Sequence, residues 1–335
     1  MQKAIILAAS FAISFLSCML LTRILIPKLK SLKMGQKILE IGPRWHKGKE
    51  GTPTMGGIAM IISLCLVILI SVIVGLINPG FRSVTSRVAI VFGYALLNGL
   101  TGMIDDRVKL LKKQNEGLKA WQKYAFQFAC AILFIVGMRL TGNMSTRLHI
   151  PFTSIYAELG FFYYIIAVLL LTGVVNAVNL TDGIDGLAAS NTFLVGVFFC
   201  VTAFSSSLGG NDTALLGGVT AGMCGGFLVY NFYPAKIFMG DTGSLFLGGL
   251  VVGGAFMLDS PFTVILFGLI FIIETASVIL QVASFKLTKK RIFKMAPIHH
   301  HFEMCGWSEI KIVTVFSVVT AVMCIVSYFA LRGIM

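Results

Sequence analysis

The sequence predicts an all-α polytopic membrane protein, and three observations carry that prediction. Of 335 residues, 57% are hydrophobic and 12% are charged, whereas soluble domains average about 45–50% apolar and about 25% charged residues. Apolar runs long enough to cross a bilayer, about 20 residues as a helix, recur along the whole chain. The segments between these runs never exceed about 27 residues, so we expect one integral membrane domain over residues 1–335.

The apolar runs number about ten. The first is longer than the apolar segment of a signal peptide and precedes a basic loop, so we expect an uncleaved first span. The seventh and eighth runs are rich in glycine, which lowers helix propensity, and they give the weakest signal. In order, the predicted transmembrane helices cover residues 4–26, 54–78, 88–104, 124–141, 160–177, 187–208, 213–230, 243–259, 261–284 and 312–333.

The basic residues predict the orientation of these helices. Alternate loops, at residues 27–53, 105–123, 178–186, 231–242 and 286–311, hold 20 of the 27 Lys and Arg residues. By the positive-inside rule these loops face the cytoplasm and both termini lie outside. A net charge of +13 on so apolar a chain indicates the membrane face or an anionic substrate rather than nucleic acid. The same loops carry ten of the 14 acids. The positive-inside rule does not require acids there, so their enrichment is the first indication of a functional site.

A pair of adjacent carboxylates, Asp105 and Asp106, stands at the inner end of the third predicted span. Adjacent carboxylates repel one another unless a cation or basic side chains offset their charge. A solvated helix end would explain the pair without any function. The functional interpretation is a site that holds Mg²⁺ or accepts a proton, with Lys109 nearby to attract phosphate.

The loop after the fifth span is acidic and contains no Lys or Arg. Asn179, Asp182 and Asp185 recur every third residue, so a helical turn would place all three on one face. Gly183 and Gly186 let the backbone approach a ligand closely. A capping turn accounts for one Asp but not for the repeated spacing, which favours ligand binding.

A Gly-Asp-Thr-Gly-Ser run, residues 240–244, opens the eighth span. Free N–H groups and the positive end of the helix dipole suit a phosphate there. Asp241 suits a metal, since Mg²⁺ is usually held by one or two carboxylates together with substrate phosphates. A role as helix cap would explain Asp241 without a metal. Phe238, just before the run, is a candidate to stack on a nucleobase or else an anchor at the membrane interface.

Three consecutive histidines, His299, His300 and His301, lie in the last long cytoplasmic loop. Their side chains cannot all point one way, so we expect hydrogen bonds to sugar hydroxyls or phosphate rather than a compact zinc site. Inside the ninth span, Glu274 is a carboxylate at membrane depth, and such groups are functional candidates by default. Gln281, two turns further on, is predicted to lie near the cytoplasmic opening of the same site.

These motifs occur in the order found in one family of enzymes. The runs at residues 49–57 (Lys-Glu-Gly-Thr-Pro-Thr-Met-Gly-Gly), 105–109, 179–186, 238–244 and 297–303 (Pro-Ile-His-His-His-Phe-Glu) closely resemble those of the bacterial phospho-N-acetylmuramoyl-pentapeptide transferases. That family is a branch of the polyprenyl-phosphate N-acetylhexosamine-1-phosphate transferase superfamily. The two-Asp motif and the Asn/Asp loop are shared across the superfamily, whereas the histidine run and the run at 49–57 are more specific to the branch.

The resemblance implies transfer of phospho-MurNAc-pentapeptide from UDP-MurNAc-pentapeptide to undecaprenyl phosphate in the bacterial plasma membrane, giving lipid I and UMP. It also implies Mg²⁺ as the cofactor and a homodimer. The catalytic group would be Asp105, Asp106, Asp241 and His300, with Asp241 as the metal ligand. The substrate-binding residues would be Lys49, Thr54, Lys109, Asn179, Asp182, Asp185, Asn231, Phe238, Gly240, Ser244, Gln281, His299 and His301.

Two mechanisms and two rival functions stay open at this point. In one mechanism Asp105 takes the proton of undecaprenyl phosphate, which attacks the donor β-phosphorus directly; in the other an Asp forms a covalent phospho-sugar enzyme first. We favour direct attack, because a phosphate anion is already a competent nucleophile. A sister enzyme that transfers GlcNAc-1-phosphate would share the two-Asp motif but lack the histidine run. A secondary transporter would bind its substrate at Glu274 and the glycine-rich spans.

Overall fold

The computed structural model describes residues 1–32, 49–112, 117–205 and 209–332. Short 3-10 turns lie at Pro79–Phe81 and Pro261–Thr263. In chain order, the other elements are α1 (Gln2–Ser31), α2 (Gly57–Ile77), α3 (Ser86–Lys112), α4 (Ala120–Leu140), β1 (Arg147–His149), β2 (Tyr156–Glu158), α5 (Phe161–Thr181), α6 (Leu187–Thr202), α7 (Asn211–Asn231), α8 (Gly240–Met257), α9 (Val264–Phe267), α10 (Leu269–Thr288), α11 (Ile298–Met304) and α12 (Glu309–Arg332).

Nine of the described helices are long and apolar enough to cross a membrane. They are α1 to α5, α7, α8, α10 and α12, and α6 adds a shorter apolar helix of 16 residues. These ten helices correspond to the ten predicted runs, which confirms the all-α polytopic fold class. The placement of both termini on the outer face stays a prediction.

The glycine-rich helices α7 and α8, weakest in the sequence signal, are the most buried spans of the bundle. Three glycines of α7, Gly218, Gly222 and Gly226, lie against the backbone of α1, where a Cβ at Gly218 would stand 2.8 Å from the Leu7 carbonyl oxygen. Small residues let membrane helices approach closely. Low helix propensity at these positions is therefore offset by close packing at the centre of the protein.

The ninth predicted span, residues 261–284, is not one continuous helix. After the turn at Pro261–Thr263, α9 covers only four residues, and the chain breaks at Gly268 before α10 begins. Glycine is unfavourable inside a helix, and a Cβ at Gly268 would lie 2.6 Å from the Val264 carbonyl oxygen. The ninth predicted span therefore corresponds to α10, which begins at Leu269 rather than at residue 261.

Three helix boundaries differ from the prediction in a way that shapes the site. α3 continues beyond residue 104 and carries Asp105 and Asp106 in its last turns. α5 extends far enough to carry Asn179, and α8 begins early enough to include Asp241. The residues expected in cytoplasmic loops thus stand largely on helix ends, whose backbone hydrogen bonds hold them in place.

The opposite end of the bundle carries a small antiparallel hairpin, β1 and β2, which the sequence did not predict. Beside it, His149 Nδ1 lies 3.1 Å from the Ser260 hydroxyl. Arg87 contacts the two carboxylate oxygens of Asp259 at 3.0 and 2.8 Å. Strands of three residues are too short for a clear alternation of apolar and polar positions, which is why the pattern gave no signal.

Candidate functional site

Several helix ends meet where the predicted motifs lie. The first turn of α8 packs so tightly that a Cβ at Gly102 on α3 would collide with the carbonyl oxygen of Asp241, and one at Gly57 on α2 would collide with the backbone of Gly243. Only glycine permits such an approach. The last turns of α3 and the first turns of α2 and α8 are therefore held in direct backbone contact.

Asp106 caps the first turn of α8 from a different helix. Its Oδ1 accepts a hydrogen bond from the backbone N of Asp241 at 3.1 Å. Its Oδ2 accepts from the backbone N of Thr242 at 2.9 Å and from the Thr242 hydroxyl at 2.7 Å. Unpaired N–H groups and the helix dipole favour a carboxylate at this position. Asp106, predicted as catalytic, thus fixes the position of α8 against α3.

Asp241 is surrounded by donors from three other helices. Its Oδ2 lies 2.9 Å from Lys109 Nζ on α3 and 2.7 Å from Lys123 Nζ on α4. Its Oδ1 accepts from Asn179 Nδ2 on α5 at 2.9 Å. Asp241 makes no capping hydrogen bond in its own helix, so the capping explanation fails. The carboxylate is the point on which these helices converge.

Asp105 completes a cluster of three carboxylates. Its Oδ1 accepts from the backbone N of Leu118 at 2.8 Å, and its Oδ2 lies 2.7 Å from Lys109 Nζ. Carboxylate oxygens of Asp105, Asp106 and Asp241, called here the aspartate cluster, lie within 4.8 Å of one another. Carboxylates this close repel one another, so a cation would be stabilised among them.

Asp182 stands beside the aspartate cluster. Within the part of the chain that the structure describes, its carboxylate has no hydrogen bond or ion pair. Burial raises the pKa of Asp182 well above its ordinary value, and the carboxylates of Asp241, Asp106 and Asp185 raise it further. The charged form of Asp182 is therefore disfavoured until a positive charge comes near.

The expected common face of Asn179, Asp182 and Asp185 was wrong. α5 ends at Thr181, and the turn that follows contains Gly186 with φ at 77°, a conformation that glycine adopts readily. The helix does not continue through the three positions, so their spacing does not align them. Asn179 donates to Asp241 of the aspartate cluster, whereas Asp185 enters a separate network.

That second network joins Asp185 to Lys49 and Glu309. Lys49 Nζ lies 2.7 Å from Asp185 Oδ1 and 2.6 Å from Glu309 Oε2. The backbone N of Asp185 donates to Glu309 Oε2 at 3.1 Å, and Asp185 Oδ2 accepts from the backbone N of Ala235 at 2.8 Å. Lys49 and Asp185, predicted to bind substrate, are thus engaged within the protein and link the Asn/Asp loop to α12.

The segment before α2 pairs with the segment before α8. The backbone N of Phe238 donates to the Pro53 carbonyl at 2.8 Å, and the backbone N of Gly56 donates to the Phe238 carbonyl at 2.9 Å. Gly240 has φ at 69°, and a Cβ there would lie 2.9 Å from Thr54 Oγ1. The run at 49–57 therefore holds in place the residue proposed to stack on a nucleobase, whose side chain is half-buried.

Two predicted binding residues stabilise the same region from inside. Asn231 is buried, and its Nδ2 donates to the Ile237 carbonyl at 2.9 Å. Ser244 is buried, accepts from Asn179 Nδ2 at 2.7 Å and donates to the Gly240 carbonyl at 3.1 Å. Asn231 thus holds the backbone just before Phe238, and Ser244 contacts Asn179 and Gly240.

His299 connects the histidine run to the membrane interior. Its Nδ1 lies 3.0 Å from Glu274 Oε2, and both side chains are fully buried. The imidazole also packs on the Asn/Asp loop, since a Cβ at Gly183 would collide with it. The intramembrane carboxylate thus has a partner, which explains its presence without a transport pathway.

The other two histidines point elsewhere, as expected for consecutive residues on α11. His300 Nδ1 lies 2.6 Å from Glu303 Oε2. His301 Nδ1 accepts from the backbone N of Lys294 at 3.1 Å. His300 and His301 are both partly exposed, and each has a defined partner within the protein.

Gln281 forms hydrogen bonds to the backbone of the segment that leads to α11. Its Nε2 donates to the Phe293 carbonyl at 3.0 Å, and its Oε1 accepts from the backbone N of Ile292 at 3.0 Å and of Phe293 at 2.9 Å. The side chain predicted to bind substrate therefore holds the loop between α10 and α11.

Comparisons with known proteins agree with this geometry. The profile of Glycosyl transferase family 4 matches residues 88–259, a range that contains the aspartate cluster. A protein of Clostridium botulinum (strain Alaska E43 / Type E3), named phospho-N-acetylmuramoyl-pentapeptide-transferase, is 43% identical over 96% of this chain and 96% of its own length. The protein of that name from Staphylococcus aureus (strain bovine RF122 / ET3-1) is 45% identical over 88% of this chain and 90% of its own.

The chain belongs to the phospho-N-acetylmuramoyl-pentapeptide-transferase family. Together with its apolar helices, this membership makes it a multi-pass bacterial membrane protein.

Two residues of this family member escaped the sequence analysis, Lys123 and Glu309. Lys123 is one of six basic residues in the range 105–123, and nothing in its neighbours marks it; its position in the first turn of a span was the available signal. Glu309 begins α12, where an acid is ordinary because of the helix dipole. Both act through contacts between segments far apart in sequence.

The donor set suits a divalent cation. The aspartate cluster brings three carboxylates together, while Lys109 and Lys123 supply two ammonium groups. When all three carboxylates are ionised, one negative charge is in excess. Carboxylate oxygens are preferred ligands of Mg²⁺. Asp241, with 16% of its side chain exposed against 4% for Asp105, is the more accessible carboxylate of the two.

Proposed function

We propose that this chain transfers phospho-MurNAc-pentapeptide from UDP-MurNAc-pentapeptide to undecaprenyl phosphate, releasing UMP and lipid I. Near-full-length similarity to relatives named for that activity supports the proposal. The observation that carries it is the aspartate cluster, held against Lys109 and Lys123 at the ends of membrane-spanning helices. A site at a helix end is accessible both to a soluble nucleotide sugar and to a lipid phosphate.

Asp241 would hold Mg²⁺, with Asp105 and Asp106 as the neighbouring carboxylates. Their spacing within 4.8 Å and the surplus of negative charge support a cation here. When bound, the ion supplies positive charge beside the leaving phosphate. The two lysines add to it, since Lys109 and Lys123 already lie within 2.9 Å of the same carboxylate oxygen.

Transfer then depends mainly on placing two anions against one another. An oxygen of the acceptor phosphate bonds to the donor β-phosphorus as the bond from that phosphorus to the UMP oxygen breaks. Asp105 takes the acceptor's proton in this scheme, and Lys109 neutralises Asp105 at 2.7 Å before substrates arrive. Recovery of a phospho-sugar bound covalently to the purified protein without acceptor would contradict direct attack.

The remaining roles follow the same scheme. Phe238 stacks on the uracil, and His300, paired with Glu303, contacts the sugar-phosphate of the donor. The network of Lys49 and Asp185 borders the donor site. The proposal also includes assembly of the chain as a homodimer, which the family resemblance implies.

Release of UMP tests the proposal directly. The purified protein in detergent should release UMP from UDP-MurNAc-pentapeptide only when polyprenyl phosphate and Mg²⁺ are both present. UDP-GlcNAc in place of that donor is the matched control, because a sister transferase would prefer it. Faster UMP release from UDP-GlcNAc, or none from either donor, would reject the proposed reaction.

A further inference from the structure

Two amide side chains face each other between α4 and α5, in the membrane-spanning part of the bundle. Asn176 Nδ2 donates to Gln127 Oε1 at 2.7 Å, and Gln127 Nε2 donates to Asn176 Oδ1 at 3.3 Å. Asn176 also donates to the Thr172 carbonyl at 2.8 Å. Gln127 is 1% exposed. A reciprocal pair of this kind fixes both the separation of two helices and their register.

The pair lies one turn from the aspartate cluster on both helices. Lys123 precedes Gln127 by four residues on α4, and Asn179 follows Asn176 by three on α5, so each shares a face with its amide. Lys123 Nζ lies 2.7 Å from Asp241 Oδ2, and Asn179 Nδ2 lies 2.9 Å from Asp241 Oδ1. The two residues that contact Asp241 therefore stand on the same two helices, one turn from the amide pair that joins them.

We propose that Gln127 and Asn176 are positioning residues, which act through Lys123 and Asn179 on the carboxylate of Asp241. The inference rests on the proposed function, because it assigns Asp241 to the reacting phosphates. A slip of α4 along α5 would leave two amides without partners in an apolar region, which is unfavourable. The register is held for that reason, and misplacement of a reacting group by about 1 Å costs up to about 100-fold in rate.

A second interhelical contact of the same chemistry provides a control. Thr320 Oγ1 on α12 donates to Asn191 Oδ1 on α6 at 2.6 Å, and both side chains are buried. No residue of the aspartate cluster bonds to either side chain in the described part of the chain. Its loss should therefore affect stability without moving Asp241.

Steady-state kinetics separate the two contacts. Gln127→Leu should lower kcat by about 10- to 100-fold with the donor KM within about twofold of wild type, whereas Asn191→Leu should leave kcat unchanged at a similar loss of thermal stability. The exchanged pair Gln127→Asn with Asn176→Gln should recover most of kcat. Equal kcat in Gln127→Leu and Asn191→Leu would overturn the inference.

A second readout needs no turnover. Lys123 bonded to Asp241 reacts slowly with an amine-directed reagent, so Gln127→Leu should raise the labelling rate of Lys123 several-fold, as measured by mass spectrometry. Asn191→Leu should not. Unchanged labelling of Lys123 in Gln127→Leu would overturn the inference whatever the activity. Absence of UMP release by the wild-type protein would instead reject only the proposed function.

Discussion

The two ends of the helix bundle organise charge in different ways. At the hairpin end, Arg87 pairs with Asp259 and Arg147 pairs with Glu158. At the other end, Lys109 is shared between Asp105 and Asp241, and the latter also contacts Lys123. The charges of Arg87 and Asp259 balance each other, whereas the three carboxylates of the aspartate cluster share the two ammonium groups of Lys109 and Lys123.

Burial sharpens this difference. Asp259 is 61% exposed, while the side chain of Asp105 is 4% exposed. Exposed pairs contribute little to stability because water screens them, and buried carboxylates are costly unless they are paired. A buried surplus of negative charge is therefore a feature of a binding site, and the exposed pair is a feature of the surface.

Of the changes considered, removing the charge of Asp241 should have the largest effect on turnover. Asp241→Asn keeps the side-chain shape and an oxygen for Asn179, so the protein should fold and insert. Turnover should fall by about 100- to 1,000-fold, as when one preorganised electrostatic group is lost from an active site. UMP release measured across a Mg²⁺ titration gives the answer, and wild-type turnover at low Mg²⁺ would place the metal elsewhere.

Phe238 tests whether the nucleotide lies next to the aspartate cluster. Base–aromatic stacking contributes about 1–3 kcal/mol, so Phe238→Ala should raise the donor KM at least several-fold and leave the acceptor KM unchanged. Phe238→Tyr keeps an aromatic ring and serves as the matched variant. A donor KM at the wild-type value in Phe238→Ala would remove the stacking role.

Glu274 should affect stability more than any exposed acid. Glu274→Ala removes the carboxylate that accepts from the buried backbone N of His299 at 3.5 Å; leaving a buried donor unsatisfied costs about 1–3 kcal/mol and should lower the midpoint of thermal unfolding in detergent. Glu158→Gln, at the exposed hairpin, should leave that midpoint unchanged. Equal midpoints in the two variants would show that the Glu274–His299 pair does not stabilise the fold.

The smallest effect should come from the ion pair at the hairpin end. Asp259→Asn removes a charge that is mostly exposed, so stability should change by roughly 0.2–1 kcal/mol and turnover should not change. Thermal unfolding and UMP release of one preparation measure both. A loss of turnover comparable to that of Asp241→Asn would erase the distinction between the two ends.

The sequence predicted the helices well because each apolar run exceeds the length that a bilayer requires. It underrated α7 and α8, since propensity scores glycine as a helix breaker, while the structure uses glycine for contact between helices. The break at Gly268 and the short hairpin gave no periodic signal. Both depend on contacts made only in the folded bundle.

At the site, sequence reasoning identified Asp105, Asp106, Asp241 and Asn179 as neighbours because motif residues stand beside predicted span ends. It placed Asp106 in the catalytic group, whereas in the structure Asp106 caps the first turn of α8. It missed Lys123, whose importance arises from helix packing rather than from a local motif.

Metal binding tests the central claim, that the aspartate cluster is incomplete without a cation. Mn²⁺ is a paramagnetic substitute for Mg²⁺, so its binding to the purified protein can be titrated without either substrate. We predict saturable binding to the wild-type protein, loss of that binding in Asp241→Asn, and retention in Asp259→Asn. Unchanged Mn²⁺ binding in Asp241→Asn would contradict the account.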